Sequence, residues 1–200
     1  MFRTHVAGVL SSSALLPAAA AVPVFGCLPY DTAVFALRCT QKLLKRMKTA
    51  PAEPTSPTTT VLGDWYANLV IVGRQQLVLC CSERTFLPVV VVAKDIGSLV
   101  PRLRIALTDV LAAIDVDQSA INEELLAMDD VIVTKTASRV VVGVMNEYGY
   151  MMGGQRHGDL LKLSLELADT PLFASTPRVL WPIRATQAAM SAPRGLYLVQ

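Results

Sequence analysis

The sequence predicts an α+β domain, a mostly antiparallel sheet packed by three to five helices, over about residues 33 to 172. Three observations carry this expectation. Three β-like runs, residues 67–72, 76–81 and 86–93, follow one another across connections of three and four residues, short enough for hairpins. From Ser98 the apolar period becomes helical, with Leu99, Val100, Leu103, Leu107, Val110, Leu111 and Ile114 on one stripe. A chain of 200 residues that is 52% hydrophobic can bury a full core in one domain.

In chain order, residues 33–40 read as a strand, after which Thr40 is placed to cap a short, strongly basic helix, QKLLKRMK. Residues 49–60 combine prolines with Ser and Thr without apolar periodicity and read as an extended loop. In the third β run the near-continuous valines predict burial on both faces. Pro101 falls in the first turn of the 99–114 helix, where its missing N–H costs little. A second helix, about 119–128, turns Ile121, Leu125 and Met128 inward and Asn122, Glu123 and Glu124 outward. Residues 130–136 form another strand. The run VVVGVMNEYGYMM fits strand, helix, or strand passing into helix. Residues 159–169 are ambiguous too, because Leu161, Leu163, Leu165 and Leu167 alternate, but their Leu, Lys and Glu content and the Asp159 cap favour a helix that Thr170-Pro171 stops. Residues 173–200 read as an irregular arm.

Residues 1–32 form a leader that stands apart. Val6 to Tyr30 carries no charge, and with Arg3 ahead and alanines at 18 to 21 it imitates a signal peptide. Ser11 to Ser13, Pro17 and Pro23 interrupt its apolar stretch, which argues against a membrane-spanning helix. The favoured reading is a disordered tail or a misassigned upstream extension; a signal peptide and a membrane anchor are the alternatives.

Eighteen basic and 16 acidic residues give a net charge of +2, so no global field recruits a nucleic acid or a membrane surface, and polyanion binding would have to be local. Cys27, Cys39, Cys80 and Cys81 lack zinc-site spacing and read as buried thiols of a reducing compartment. No metal and no cofactor is expected.

Together, RCTQKLLKRM, LGDWYANLVIVGRQQLVLCCSERTFLPVVV, TKTASRVVVGVMNEYGY and LSLELADTPL resemble a family of small uncharacterised bacterial proteins, catalogued only as a domain of unknown function. In that family a W-x-A-N-L block leads a hairpin, and a Met-Asn pair, here Met145-Asn146, comes later. The likeness runs from about Val34 to Pro171 and includes no catalytic motif. It implies a bacterial cytosolic protein, with the first 33 residues outside the shared domain.

The basic helix gathers Arg38, Lys42, Lys45, Arg46 and Lys48, and with Trp65 and Tyr66 it would offer phosphate contacts beside a stacking surface. The plainer reading is a soluble helix whose positive charge suits its C-terminal dipole. Trp65, Tyr66 and Asn68 either line a groove for a ligand or peptide, or the Trp caps a core edge with its indole N–H on a partner while Asn68 satisfies backbone groups in a turn. Asn146 and Glu147 interrupt an apolar run and are expected as buried polar groups facing Asn68. His157 with Asp159 is the one plausible general-base pair, set against a solvated loop His beside an N-cap Asp. Glu123, Glu124, Asp129 and Asp130 read as a solvated acidic face rather than a metal cluster. Cys80 and Cys81 have no neighbouring base that would make a reactive thiol. The function expected is therefore a non-catalytic binding or interaction module of the cytoplasm, using the Trp65 to Asn68 rim, Arg38, Lys42, Lys45 and Asn146. Its partner would be a protein or small ligand, with nucleic acid less favoured. The alternatives are a hydrolase acting on nucleic acid through His157 and Asp159, and an exported protein.

Overall fold

The computed structural model describes residues 34–54, 57–153, 158–173 and 179–192. The sheet begins with β1 (Val34–Cys39), whose alternate residues Phe35, Leu37 and Cys39 are buried on one face. α1 (Gln41–Met47) follows at once and adds Leu43 and Leu44 to the same core. The Pro-rich loop then leads to the hairpin of β2 (Trp65–Val72) and β3 (Gln75–Ser82), beside which β4 (Pro88–Val92) folds back. After a single 3₁₀ turn come α2 (Leu99–Ala113), α3 (Gln118–Leu126), β5 (Asp130–Lys135), α4 (Arg139–Met151), α5 (Leu160–Ala168) and α6 (Pro182–Ser191).

The strand order is β4-β3-β2-β1-β5, an α+β arrangement as expected. Its longest ladder is antiparallel, with eight residue pairs between β2 and β3, and five antiparallel pairs join β3 to β4. β1 is the exception, parallel to β2 over three pairs and to β5 over six. The reason is connectivity: β1 reaches β2 through α1 and a long loop, and β4 reaches β5 through α2 and α3. Such crossovers return the chain in its original direction, which a short hairpin cannot do.

Period-two alternation sorts the strands between two cores. Trp65, Ala67 and Leu69 of β2, with Val78 and Cys80 of β3, face the layer of α1, α2 and α3. Tyr66, Val72, Leu77, Leu79 and Cys81 face α4 and α5. β4 is buried on both sides, with Val89 and Val91 in the first core and Val90 in the second, as its valine run predicted. Its outer edge is also blunted: Pro88 has no N–H, the Val90 N–H donates to Ser164 Oγ at 3.0 Å, and Arg102 Nη1 donates to the Val92 carbonyl.

Both ambiguous segments are helices, and the Asp159 carboxylate accepts the Lys162 N–H at 3.0 Å as the N-cap of α5. Two expectations need correction. Thr40 stands at the N-cap of α1 without a side-chain capping bond; its hydroxyl donates to Asn68 Oδ1 at 2.9 Å instead, tying α1 to β2. Among the described residues α1 to α5 lie within residues 33–172, matching the expected number, and the stretch read as an irregular arm holds a further helix, α6. Its Thr186 is buried and bonds Thr85 Oγ1 at 3.0 Å, and Thr85 in turn contacts Ser82 Oγ at 2.7 Å, so a short chain of hydroxyls docks the helix on the β3–β4 connection.

Candidate functional site

The aromatic rim belongs to the interior. Trp65 and Tyr66 are both 0% exposed, so neither presents a ring for stacking. The Trp65 indole N–H has no hydrogen-bond partner among the described residues, contrary to the expectation that it reaches one. The Tyr66 hydroxyl donates to Glu83 Oε1 at 3.2 Å and accepts the Ser138 N–H at 3.1 Å. Burial pushes the phenol above its ordinary range against the pull of that Ser138 bond. Asn68 lies in the middle of β2, not in a turn, with Thr40 as its partner.

Arg38 is likewise engaged. Its Nε and Nη2 donate to Asp64 Oδ2 at 2.8 and 2.7 Å, and its guanidinium lies 5.9 Å from the Tyr66 ring centroid. Asp64 Oδ1 accepts the Ala36 N–H at 3.1 Å, extending the ladder where β1 outruns β2. Arg38 is thus a structural cation that helps fix the entry to β2.

What faces solvent is the other end of the sheet. β1, β2, β4 and β5 run in the same direction, so their C-terminal ends lie together, and α1 sits over the end of β1. Lys42, Lys45, Arg46 and Lys48 are exposed there. On one side of α1 a cleft of about 530 Å³ is lined by Gln41, Lys45, Lys48, Thr49 and Lys135. On the other side a smaller cleft of about 310 Å³ is lined by Arg46, Arg74, Gln76 and Lys94. Among the described residues neither lining includes an Asp or Glu. Lys45 and Arg46 also occupy the last turn of α1, where positive charge meets the helix's negative pole.

Lys135, Arg74 and Lys94 were not singled out from the sequence, where they are isolated cations in three separate segments. Topology joins them. Lys135 ends β5 opposite Cys39, Arg74 sits in the β2–β3 turn and Lys94 follows β4, so the signal appears only once strand order is known.

Other candidates are placed elsewhere. Asn146 and Glu147 are exposed on the outer side of α4, not buried against Asn68; the inward positions of that helix are Val141, Val144, Met145 and Tyr148. Glu124, expected outward with Asn122 and Glu123, is 0% exposed and accepts the Val61 and Leu62 N–H groups at 2.7 and 3.0 Å. No group of three or more metal-binding side chains occurs among the described residues. His157 lies outside the described residues, and Asp159 is engaged in its cap. Burial pushes the Cys39 thiol up to about 12 and those of Cys80 and Cys81 further, leaving them protonated and unreactive. An apolar cavity of about 220 Å³ beside β4 is bordered by Arg102 and Ser164, whose polar atoms are held by backbone groups of β4, the 3₁₀ turn and α5.

A family model described as a domain of unknown function, DUF6933, matches residues 36–185, three quarters of the chain. The chain belongs to that family. No curated protein and no solved structure matches it. The DUF6933 span runs from β1 into α6 and contains both basic clefts, the Arg38–Asp64 pair and the buried Glu124. No helix of the described residues is long and apolar enough to cross a membrane.

Proposed function

We propose that this DUF6933 domain is a non-catalytic binding module of the cytoplasm that takes an anionic partner at the basic end of its sheet. The observation that carries the reading is the cleft beside α1, which Lys45, Lys48 and Lys135 line with no carboxylate among its described lining residues. Cations held together in this way repel one another, and an anion relieves that repulsion. The thiols suit a reducing compartment, since Cys39, Cys80 and Cys81 are all free and buried. The rim reading contracts accordingly: Lys42 and Lys45 remain as contact residues, whereas Arg38, Trp65, Tyr66 and Asn68 support the scaffold.

The test is an amide NMR titration of the full chain with pyrophosphate and, separately, a glutamate-rich peptide. Shifts centred on residues 41–51 and Lys135, abolished by 0.5 M salt, are expected from at least one ligand. Shifts absent with both ligands, or centred elsewhere, would overturn the reading.

A further inference from the structure

The two clefts flank the same helix and continue one another across the sheet. Lys94 follows the edge strand β4, and Arg74 caps the β2–β3 hairpin. Arg46, Lys45 and Lys48 ride on α1 over the end of β1, and Lys135 ends the opposite edge strand β5. Five strands at a spacing of about 4.8 Å make this band roughly 19 Å wide.

We infer that this band is a single surface that binds the phosphate backbone of a nucleic-acid duplex without regard to sequence. The inference rests on the binding-module reading above and names its partner. Shape, composition and charge each narrow the choice. A lone phosphate is held by groups converging on one point, whereas these six cations are strung across the whole sheet end. A duplex presents one charge for about every 1.7 Å of axis with both strands counted, so a 19 Å length carries roughly eleven phosphates, of which about half face the band. Between the cations stand Gln41, Thr49 and Gln76, exposed neutral side chains of the kind that hydrogen-bond phosphate oxygens. Single-stranded nucleic acid is disfavoured because no aromatic ring of the described residues lines either cleft, and stacking platforms are what bind it. An acidic protein is disfavoured because binding hot spots are large anchors such as Trp, Tyr and Arg seated in dry pockets. Here the largest apolar linings, Leu44 and Leu77, are themselves buried in the fold. The cations come from α1, two loops and a strand end rather than from one element that could lie along a groove, so the contacts inferred are positional rather than specific.

The experiment is fluorescence anisotropy of a labelled mixed-sequence 20-base-pair duplex with the full chain, between 50 and 200 mM salt. With about five phosphates neutralised, log K is expected to fall against log salt with a slope of about −4 to −5, a loss of roughly 250- to 1,000-fold over that range. A second sequence should give the same values. Lys45→Glu/Lys48→Glu/Lys135→Glu should weaken binding at least tenfold and flatten the slope, and Arg74→Glu/Lys94→Glu should do the same. All five positions are exposed, so an unchanged thermal transition certifies the fold of each variant. If the second variant binds like the parent, the band is not one surface. If the single strand binds tighter than the duplex, the choice of duplex is wrong. If a glutamate-rich peptide binds and no nucleic acid does, this inference falls while the binding module stands; if neither binds, and pyrophosphate does not, both fall.

Discussion

The start of β2 and the opposite end of the sheet treat charge in opposite ways. Around the start of β2, charged groups are engaged inside the protein: Asp64 holds Arg38 and the Ala36 N–H, Glu124 holds two backbone N–H groups of the loop before β2, and Glu83 accepts from Tyr66. Arg84 Nη1 closes the same loop by donating to the Val61 carbonyl at 3.1 Å. Gly63 turns there at φ +80, so close that a Cβ would meet Arg84 Cγ at 3.0 Å. Where β1, β2, β4 and β5 end, Lys42, Lys45, Arg46, Lys48, Arg74, Lys94 and Lys135 all face water. The first arrangement organises the fold, and the second leaves charge for something outside it. A net charge of +2 averages over these two poles, so it excludes a global field but says nothing about a local one.

The comparison is broken most readily at Glu124. Replacing it with Ala strands two buried N–H donors, and each such loss costs on the order of 1–3 kcal/mol, so a destabilisation of about 3 kcal/mol is expected. For a chain of this size that lowers Tm by roughly 6–12 °C, and Glu124→Gln, which keeps one acceptor, should recover part of it. A melting curve unchanged by Glu124→Ala would mean that the loop does not depend on this carboxylate. Asp64→Ala comes next, at about 2 kcal/mol, since it leaves the nearly buried Arg38 guanidinium and the Ala36 N–H unpaired. Arg38→Ala combined with it should cost less than the two separate losses added, a non-additivity that denaturant melts can read.

How much of this was legible in the sequence follows the same division. Strands and helices with local signals were readable: the valine run of β4, the α2 stripe and the Asp159 cap all depend on residues close in sequence. What escaped depends on long-range contacts. Glu124 looks like an outward residue on a helical wheel, and only the fold of residues 58–64 brings backbone N–H groups to it across more than sixty residues of chain. Thr40 has the residue type of a helix cap, but a parallel neighbour places Asn68 within reach and takes its hydroxyl. Trp65 and Tyr66 begin a strand, a position that reads as a rim, yet α-helical layers close over both faces. The basic band was half visible, because α1 concentrates its cations locally while Lys135, Arg74 and Lys94 join them only through strand order.

Alkaline pH tests the floor beneath the basic end. Cys39 lies under α1 with its Sγ 3.8 Å from Met47 Sδ, and burial holds its thiol up to about 12 against an ordinary 9.0. Between those values the unfolded chain has lost this proton and the folded chain keeps it, so stability falls as pH rises. The slope is about 1.4 kcal/mol per pH unit for one thiol, and Cys80 and Cys81 act in the same direction. Below pH 9 the contribution is fully present. Denaturant midpoints flat from pH 7 to 8.5 and declining by pH 10 are the expected result, together with thiols that react with a disulfide reagent only after unfolding. Rapid reaction of the native protein would show that the floor is open to solvent.

The smallest expected change sharpens the contrast most, because it gives stability and binding opposite signs. Lys48 closes α1 in the left-handed region, at φ 53 and ψ 33, a conformation that costs a residue with a Cβ about 1–2 kcal/mol and costs glycine almost nothing. Glycine returns part of that gain through the greater freedom of its unfolded chain, leaving a net stabilisation of about 0.5 kcal/mol for Lys48→Gly, or a rise in Tm of roughly 1–2 °C. The same substitution removes one of the three lysines of the larger cleft and should lower the salt slope of duplex binding by about 1. At the start of β2, where Asp64 and Glu124 hold buried backbone N–H groups, removing either carboxylate brings no such gain. A Lys48→Gly variant that melts lower than the parent would show that this lysine stabilises α1 after all, and the division between a structural end and a binding end would lose its sharpest instance.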